Sequence, residues 1–351
     1  MKKITIGTRA IGHGCPTFII AEAGVNHNGK VDLALKLIDA AKEAGADAVK
    51  FQTFKAREVA TAKADMAAYQ KKNLKTNGGQ LAMLKKLELH EEHYPVLMRH
   101  CKRRNIMFLS TPHGGIPSVD FLETIEHPAY KISSPDLTNR PLLERVARTN
   151  KPIILSTGMA TLREVRVALQ WITKAGNNKV IILHCTSNYP TPPEEVNLRA
   201  MQTLSRTFDF PVGFSDHTEG AQASVMAVTL GACVIEKHFT LDRSMEGPDH
   251  AASLEPSELA SLISSMRTVE RFLGSPVKKP TASELKIRPT IRRSIVTARS
   301  LKKGEKIALA MLQFKRPGTG ISPAQYKNLI GKKVRRDLPE DHLLTSSDYG
   351  A

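Results

Sequence analysis

Aromatic residues make up only 5% of this 351-residue chain, and no stretch interleaves them with basic side chains as a platform for stacked bases would. Cysteine is scarce as well. Cys15, Cys101, Cys185 and Cys233 show no CxxC pair and no framework spacing, which argues against a zinc knuckle or a disulfide scaffold and fits a reducing cytosol. No apolar run approaches the length of a membrane span, and the opening MKKITIGTRAIG has a basic start without the apolar stretch of a signal peptide. A cytoplasmic protein with no membrane partner is therefore expected. Acidic residues are the remaining shortfall: 34 Asp and Glu against 51 Lys and Arg leave a net charge of +17, which raises nucleic acid as a partner. The location of the charge weakens that idea. From Lys286 to Ala351 there are 15 Lys and Arg and 5 Asp and Glu, so this tail alone carries +10. The tail reads as a separate unit, and anionic small molecules or an acidic face of another subunit explain its charge equally well.

What the chain does have is a repeated alternation. Short β-branched or apolar runs occur at 17–24, 48–54, 106–112, 129–133, 152–158, 180–185, 211–217 and 234–241. Amphipathic stretches such as VDLALKLIDAAKEAG, NRPLLERVARTN and TLREVRVALQWITKAG fall between them, several ending at Gly or Asn as helices do. Strand followed by helix, eight times over roughly 250 residues, is the arithmetic of a TIM (β/α)8 barrel. Each strand begins apolar and finishes polar. In a barrel those carboxyl ends share one rim, where such folds place their chemistry. The domain expectation is 1–275 for the barrel, 276–290 for a linker and 291–351 for a small domain.

The rim residues suggest particular partners. His217 and His238 end neighbouring strands, and two inward imidazoles at similar height can share a divalent metal whose other ligands are water and substrate. His27 and His250 compete with them for that role. Alternation puts Lys50 and Gln52 on one face of strand 2 and Lys131 with Ser133 on one face of strand 4. An unpaired buried ammonium costs several kcal/mol, whereas each gains about 4 kcal/mol from a charge 4 Å away, so two lysines ask for a dianion. Ser134, Ser156, Thr157, Gly158 and Ser215 offer hydroxyls and backbone N–H groups to its oxygens. Glu22, Asp136, Glu236 and Asp249 are the rim carboxylates. Of these, Glu236 reads best as the partner of an interior lysine, and Cys185 as a small buried residue.

Together AEAGVNHNG, VKFQTF, FLSTP, YKISS, ILSTGM, LHCTSNYPTP, VGFSDHT and VIEKHFTLDRSMEGPDHAASLEP resemble the N-acetylneuraminate (sialic acid) synthase family. RRSIVTARSLKKGEKI, FKRPGTGISP and LIGKKVRRDLPEDHLL are similar to its carboxy-terminal antifreeze-like (SAF, β-clip) domain. The resemblance implies condensation of phosphoenolpyruvate with N-acetylmannosamine or a related N-acyl amino sugar, giving a nine-carbon 2-keto-3-deoxy acid and phosphate. It implies His217 and His238 as ligands of a divalent ion, Mn²⁺ in first place and Mg²⁺ or Co²⁺ as alternatives. Lys50, Thr111, Lys131, Ser134, Ser156, Ser187 and Ser215 would surround phosphoenolpyruvate, and Gln52, Asn73, Tyr189 and Asp249 would meet the sugar. Glu22 would position the water that adds at C2, with Asp136 and Asp249 as further acid–base candidates. Arg316 would reach from the small domain of one subunit into the barrel of the other, in a domain-swapped homodimer. The chain departs from the family at Pro135-Asp136, Ser187 and His113, which border the pocket, and legionaminate and pseudaminate synthases acting on a diacetamido hexose share the same skeleton. Two further readings differ in kind. A class I pyruvate aldolase would use Lys131 as a Schiff-base lysine without a metal. A basic binding module would use the tail and leave the polar strand ends unexplained.

Overall fold

The structure is a computed structural model that describes residues 2–76 and 78–350, so the outermost residues of the two expected domains, 1 and 351, lie outside it. Eight strands appear where the apolar runs are: β1 Phe18–Gly24, β2 Ala48–Thr53, β3 Met107–Pro112, β4 Tyr130–Ile132, β5 Ile153–Ser156, β6 Val180–His184, β7 Val212–Asp216 and β8 Val234–His238. They pair in parallel in chain order, and β8 closes on β1 with Val234 opposite Phe18 and His238 opposite Glu22. The fold is a TIM barrel. Strand alternation then sorts the side chains. Tyr130, Ile132, Ile153, Leu155, Ile182 and Ile235 point outward and pack with the helices. Phe18, Ile20, Ala48, Leu109, Ile154, Ile181 and Val234 point inward and form a dry plug. A hairpin of Ile4–Ile6 and Arg9–Ile11 adds Ile4, Ile6 and Ile11 to that plug and closes the amino-terminal end of the barrel.

The helices follow from local signals. Val31–Glu43 buries Ala34, Leu37, Ile38 and Ala41 at helical spacing. Leu162–Lys174 starts at a capping box, with Thr161 and Glu164 each satisfying the other's backbone N–H. Tyr94–Arg104 stops at Asn105 in the left-handed conformation, φ 52°. Three short helices, Ala56–Val59, Ala68–Leu74 and Gln80–Leu87, stand between β2 and the helix that precedes β3. No strand–helix count anticipates them.

The chain divides into two compact units, the second starting at Ser275. Inside the expected linker the structure has a helix, Ala282–Ile291, whose start is the Thr281–Glu284 capping box. The small unit pairs Ser294–Thr297 with Leu312–Lys315 and Lys333–Val334 with Tyr349–Gly350 around Ile295, Leu301, Ile307, Leu312, Leu329, Val334, Leu338 and Leu344. Asp348, fully buried, ties its final turns together through Arg336, His342 and Thr345. Among the described residues no helix is long and apolar enough to cross a membrane.

Gly213 on β7 marks a place where the strands leave no room for a side chain. A Cβ there would stand 2.4 Å from the Val234 carbonyl oxygen and 2.8 Å from Leu183 Cδ2. Gly213→Ala should therefore cost about 1–3 kcal/mol through overpacking, measured by chemical unfolding. A variant as stable as the parent would show that the β7–β8 spacing is looser than described.

Candidate active site

Above the plug the inward positions turn polar, and they enclose a cavity of about 330 Å³ at the carboxyl ends of the strands. Glu22, Lys50, Gln52, Thr111, Lys131, Ser134, Ser156, Ser187, Tyr189, Ser215, His217, His238 and Asp249 all line it, which is thirteen of the sixteen residues expected at the site. Its floor is a quartet of charges. Lys50 Nζ lies 2.7 Å from Glu22 Oε2 and 3.6 Å from Glu236 Oε2, and Lys131 Nζ lies 3.3 Å from Glu236 Oε1. All four residues are at most 4% exposed. Thr111 accepts a hydrogen bond from Lys50, and Ser215 donates one to Glu236 at 2.8 Å.

Burial and partners push these groups in different directions. Burial raises Glu22 to about 7 against the pull of Lys50. Glu236 suffers the same desolvation, yet Lys131 and Lys50 together overcome it and hold the carboxyl at about 2. Burial lowers Lys131, only partly opposed by Glu236, whereas the two carboxylates outweigh burial at Lys50 and raise it. Two carboxyls driven apart in this way take different roles: one stays charged and the other can hold or release a proton near neutrality.

The histidines stand beside the quartet, with Ser215 Oγ 3.3 Å from His217 Nε2 and 2.8 Å from Glu236 Oε1. His217 and His238 have ring centroids 5.7 Å apart, and Tyr189 lies 4.1 Å from the first and 5.5 Å from the second. Burial lowers His217 to about 4 and holds His238 well below the usual imidazole range, so both rings are neutral near pH 7. His217 Nδ1 is 2.6 Å from the Thr186 carbonyl, which fixes that nitrogen as the N–H and leaves Nε2 as an acceptor for the Tyr189 hydroxyl at 3.1 Å, while the Ser215 hydroxyl gives its proton to Glu236. His238 Nδ1 is buried without a hydrogen-bond partner. Gly24, at φ 52°, keeps this corner open: a Cβ there would sit 3.4 Å from Glu22 Oε1 and 3.5 Å from His238 Cε1.

On another wall the hydroxyls gather round Gly158. A Cβ on Gly158 would fall 2.3 Å from Ser134 Oγ and 2.4 Å from Ser187 Oγ, so only glycine lets both converge on the backbone. Cys185, buried as expected of a small residue, accepts from the Gly158 N–H at 3.1 Å. Ser156 Oγ, also in the lining, is buried with no partner.

Three expected residues stand apart. Asp136 does not line the cavity; its carboxylate accepts from Ser133 Oγ at 2.7 Å and from Asn139 at 3.3 Å, the arrangement of a local turn after β4. Asn73 sits behind the rim, donating to the Pro248 carbonyl at 2.6 Å. Arg316 belongs to the small unit. The competing ligand candidates do not join either: His27 accepts from the Gly29 N–H, and His250 bonds Thr240 and Asn28. Among the described residues no three His, Cys, Asp or Glu side chains assemble as a metal cluster.

Sequence reasoning missed the roof. Tyr69, Gln70, Gln80, Met83, Leu84 and Leu87 line the cavity from the short helices after β2, and Tyr69 packs on Tyr189 at 5.3 Å. The available signal was length: 53 residues separate β2 from β3, far more than one barrel helix needs.

A model of the NeuB family matches residues 37–278, and one of the SAF domain matches 292–349. The chain belongs to the NeuB family. It is 48% identical to the N,N'-diacetyllegionaminic acid synthase of Campylobacter jejuni, over 93% of this chain and 98% of that one. It is 38% identical to the human N-acetylneuraminate-9-phosphate synthase, over 95% and 92%. The crystal structure of an N-acetylneuraminic acid synthetase from Leptospira borgpetersenii in complex with citrate aligns with a TM-score of 0.72 at 36% identity, covering 81% of this chain and 94% of that one. The barrel with its antifreeze-like domain is thus an enzyme of the sialic acid synthase type.

Glu236 is the common counter-charge of both lysines. Glu236→Gln should leave two buried ammonium groups short of a partner and destabilise the fold by about 3–5 kcal/mol. Chemical unfolding checks this; a loss below 1 kcal/mol would mean that solvent already reaches the quartet.

Proposed function

We propose that this chain condenses phosphoenolpyruvate with an N-acyl amino sugar, and that a diacetamido hexose, as for a legionaminate synthase, is the first sugar to try. The observation that carries the condensation is the Lys50–Glu22–Glu236–Lys131 quartet beside the Ser134–Gly158–Ser187 wall. It offers ammonium, hydroxyl and backbone donors to one anion, deep in a cavity that also holds two neutral imidazoles. The ordering of sugars rests on kinship. N-acetylmannosamine heads the expectation from the sequence, but the legionaminate synthase of Campylobacter jejuni is closer, at 48%, than the human enzyme at 38%. Pseudaminate synthesis and N-acetylneuraminate synthesis follow in that panel.

The residues present suit a divalent ion, since His238 Nδ1 has no partner and both rings are neutral. Two imidazoles leave most of a six-fold shell to water and substrate oxygens, as an exchangeable Mn²⁺ requires. Bound there, the ion would polarise the sugar aldehyde towards attack by C3 of phosphoenolpyruvate. The protein's own groups do the rest. Lys50 and Lys131 hold the phosphate and stabilise the charge that grows on it as the C2–O bond breaks. Glu22, raised to about 7, takes the proton from the water that adds at C2. Glu236 stays ionised and keeps both lysines charged between turnovers. Asp249, raised to about 6 by burial, and Tyr189 face the sugar. Arg316 completes the sugar site from a second subunit of a domain-swapped homodimer.

A Schiff-base role for Lys131 is the rival within the same cavity. Burial, only partly opposed by Glu236 at 3.3 Å, lowers that lysine towards the neutral amine such a role needs, so borohydride trapping decides between the two.

The deciding experiment is phosphate release from phosphoenolpyruvate with a divalent ion and a panel of amino sugars. Turnover with the diacetamido hexose, lost on chelation and restored by Mn²⁺, is expected. Borohydride trapping of pyruvate on Lys131 would establish the aldolase instead. His217→Ala and His238→Ala should each lower phosphate release at least 10³-fold with the thermal midpoint preserved. Arg316→Ala should raise the sugar KM and leave that of phosphoenolpyruvate unchanged; equal changes in both would remove Arg316 from the sugar site.

A further inference from the structure

The loop after β8 carries Asp249 into the cavity, and it is a thin partition. Pro248 lines the catalytic cavity on one side and a second cavity of about 570 Å³ on the other, together with Met83 and Leu87. Met245, Glu246 and Gly247 face only the second cavity. With open space on both sides, packing alone leaves such a loop free to shift. Polar ties hold it instead. Asn28, on the loop after β1, donates from Nδ2 to the Glu246 carbonyl at 2.9 Å and meets His250 Nε2 with Oδ1 at 3.2 Å. Thr240 Oγ1 lies 2.6 Å from His250 Nδ1.

These contacts have one consistent direction. Asn28 Oδ1 can only accept, so His250 carries its proton on Nε2, and Nδ1 must then accept from the Thr240 hydroxyl, whose 2.6 Å contact wins over the 3.2 Å one to the Asp242 carbonyl. The chain runs Thr240 to His250 to Asn28 to the Glu246 carbonyl. His250 is fully buried, and Gly247 lies against it so closely that a Cβ would approach its Cδ2 to 2.4 Å. A second tie runs from Asn26 Nδ2 to the Phe239 carbonyl and to Ser253 Oγ, which donates to the Asp249 carbonyl at 2.7 Å.

We infer that Asn28, His250 and Thr240 are positioning residues that hold Asp249 at the height where it meets the sugar, which makes His250 a clasp for the loop where the sequence offered it as a metal ligand. The inference rests on the reading of Asp249 as a sugar contact, and Asp249→Asn is the control for that reading. Asn28 offers a clean test because its φ of 51° is one that glycine adopts freely, so Asn28→Gly removes the clasp without straining the backbone. Thr240→Val removes the hydroxyl at nearly constant shape, and Thr240→Ser returns it.

Steady-state phosphate release is measured with phosphoenolpyruvate and N-acetylmannosamine or the diacetamido hexose, whichever the parent turns over faster, beside hydrogen exchange over residues 244–250. Asn28→Gly and Thr240→Val should raise the sugar KM about tenfold and leave the phosphoenolpyruvate KM within twofold. Both should speed exchange in the loop, and Thr240→Ser should restore both readouts. A sugar KM unchanged in Asn28→Gly while Asp249→Asn raises it overturns the clasp, as does parental exchange in the loop whatever the activity. If Asp249→Asn itself leaves the sugar KM unchanged, the reading of Asp249 fails and the proposal with it.

Discussion

The site depends on four charges balancing inside a barrel that would otherwise be filled with apolar side chains. Lys50, Lys131, Glu22 and Glu236 are nearly unexposed, and any one of them alone would cost several kcal/mol to bury. As a set they are neutral, so the fold can close around them without a ligand. The same balance sets the terms for an incoming anion. It must take ammonium donors that already have carboxylate partners, so binding is an exchange of partners more than a simple attraction. Lys131, the lysine with one partner, is the easier to recruit. Glu22, which burial holds near 7, is the carboxyl that gives way most readily.

The barrel's two layers explain how a folded core and a charged centre coexist in one set of strands. Each inward file runs from apolar to polar along the chain: Phe18, Ile20, Glu22 on β1; Val234, Glu236, His238 on β8. The hairpin isoleucines seal the dry end, so the plug does not depend on the polar end for its burial. Outside the barrel the order inverts locally. Asp216 and Lys237 point outward between β7, β8 and the helices, paired at 3.1 Å with neither exposed. Asp216 also accepts from the Thr218 N–H and from Ser224, which fixes the backbone on both sides of His217. Consecutive polar residues at the end of β8 therefore have two different audiences: Glu236 and His238 the cavity, Lys237 the outer layer.

Most of this was legible because strand alternation is a strict rule. Once β2 and β4 are placed, Lys50, Gln52 and Lys131 can only face inward, and they do. Glu236, read as an ion-pair partner, has that role with both lysines, but it also lines the cavity, so structural and functional readings of it are not alternatives. Loops carry no such rule. Asp136 looked like a rim acid because it follows β4 by a few residues, yet Pro135 and the turn it opens direct the carboxylate to Ser133 and Asn139. The roof from Ala56 to Leu87 was missed for the same reason, since short helices between strands leave no period in the sequence that points to a cavity. His27 and His250 have the right residue type near the right strands, but neither lines the cavity that holds the imidazole pair.

On the function proposed, the choice of sugar would belong to the part of the cavity that alternation does not govern. Strand-borne groups fixed by barrel geometry make the quartet and the imidazole pair, while Tyr69, Gln70, Gln80, Met83, Leu84 and Leu87 from the roof and Asp249 from the β8 loop line the same cavity from segments outside the strands. Changes in these segments leave the quartet and the two imidazoles untouched. A scaffold built in this way can keep one condensation chemistry and exchange the acceptor. That is the division expected when relatives of 36–48% identity bear the names of synthases for different nine-carbon acids. The roof carries three amide or phenol side chains and three apolar ones, a composition suited to acetamido groups and methyls, and it holds no cation among the described lining residues. A neutral acylated sugar fits such a wall; a sugar phosphate would have to draw its counter-charge from the quartet, for which the proposed anion would compete, or from outside the barrel.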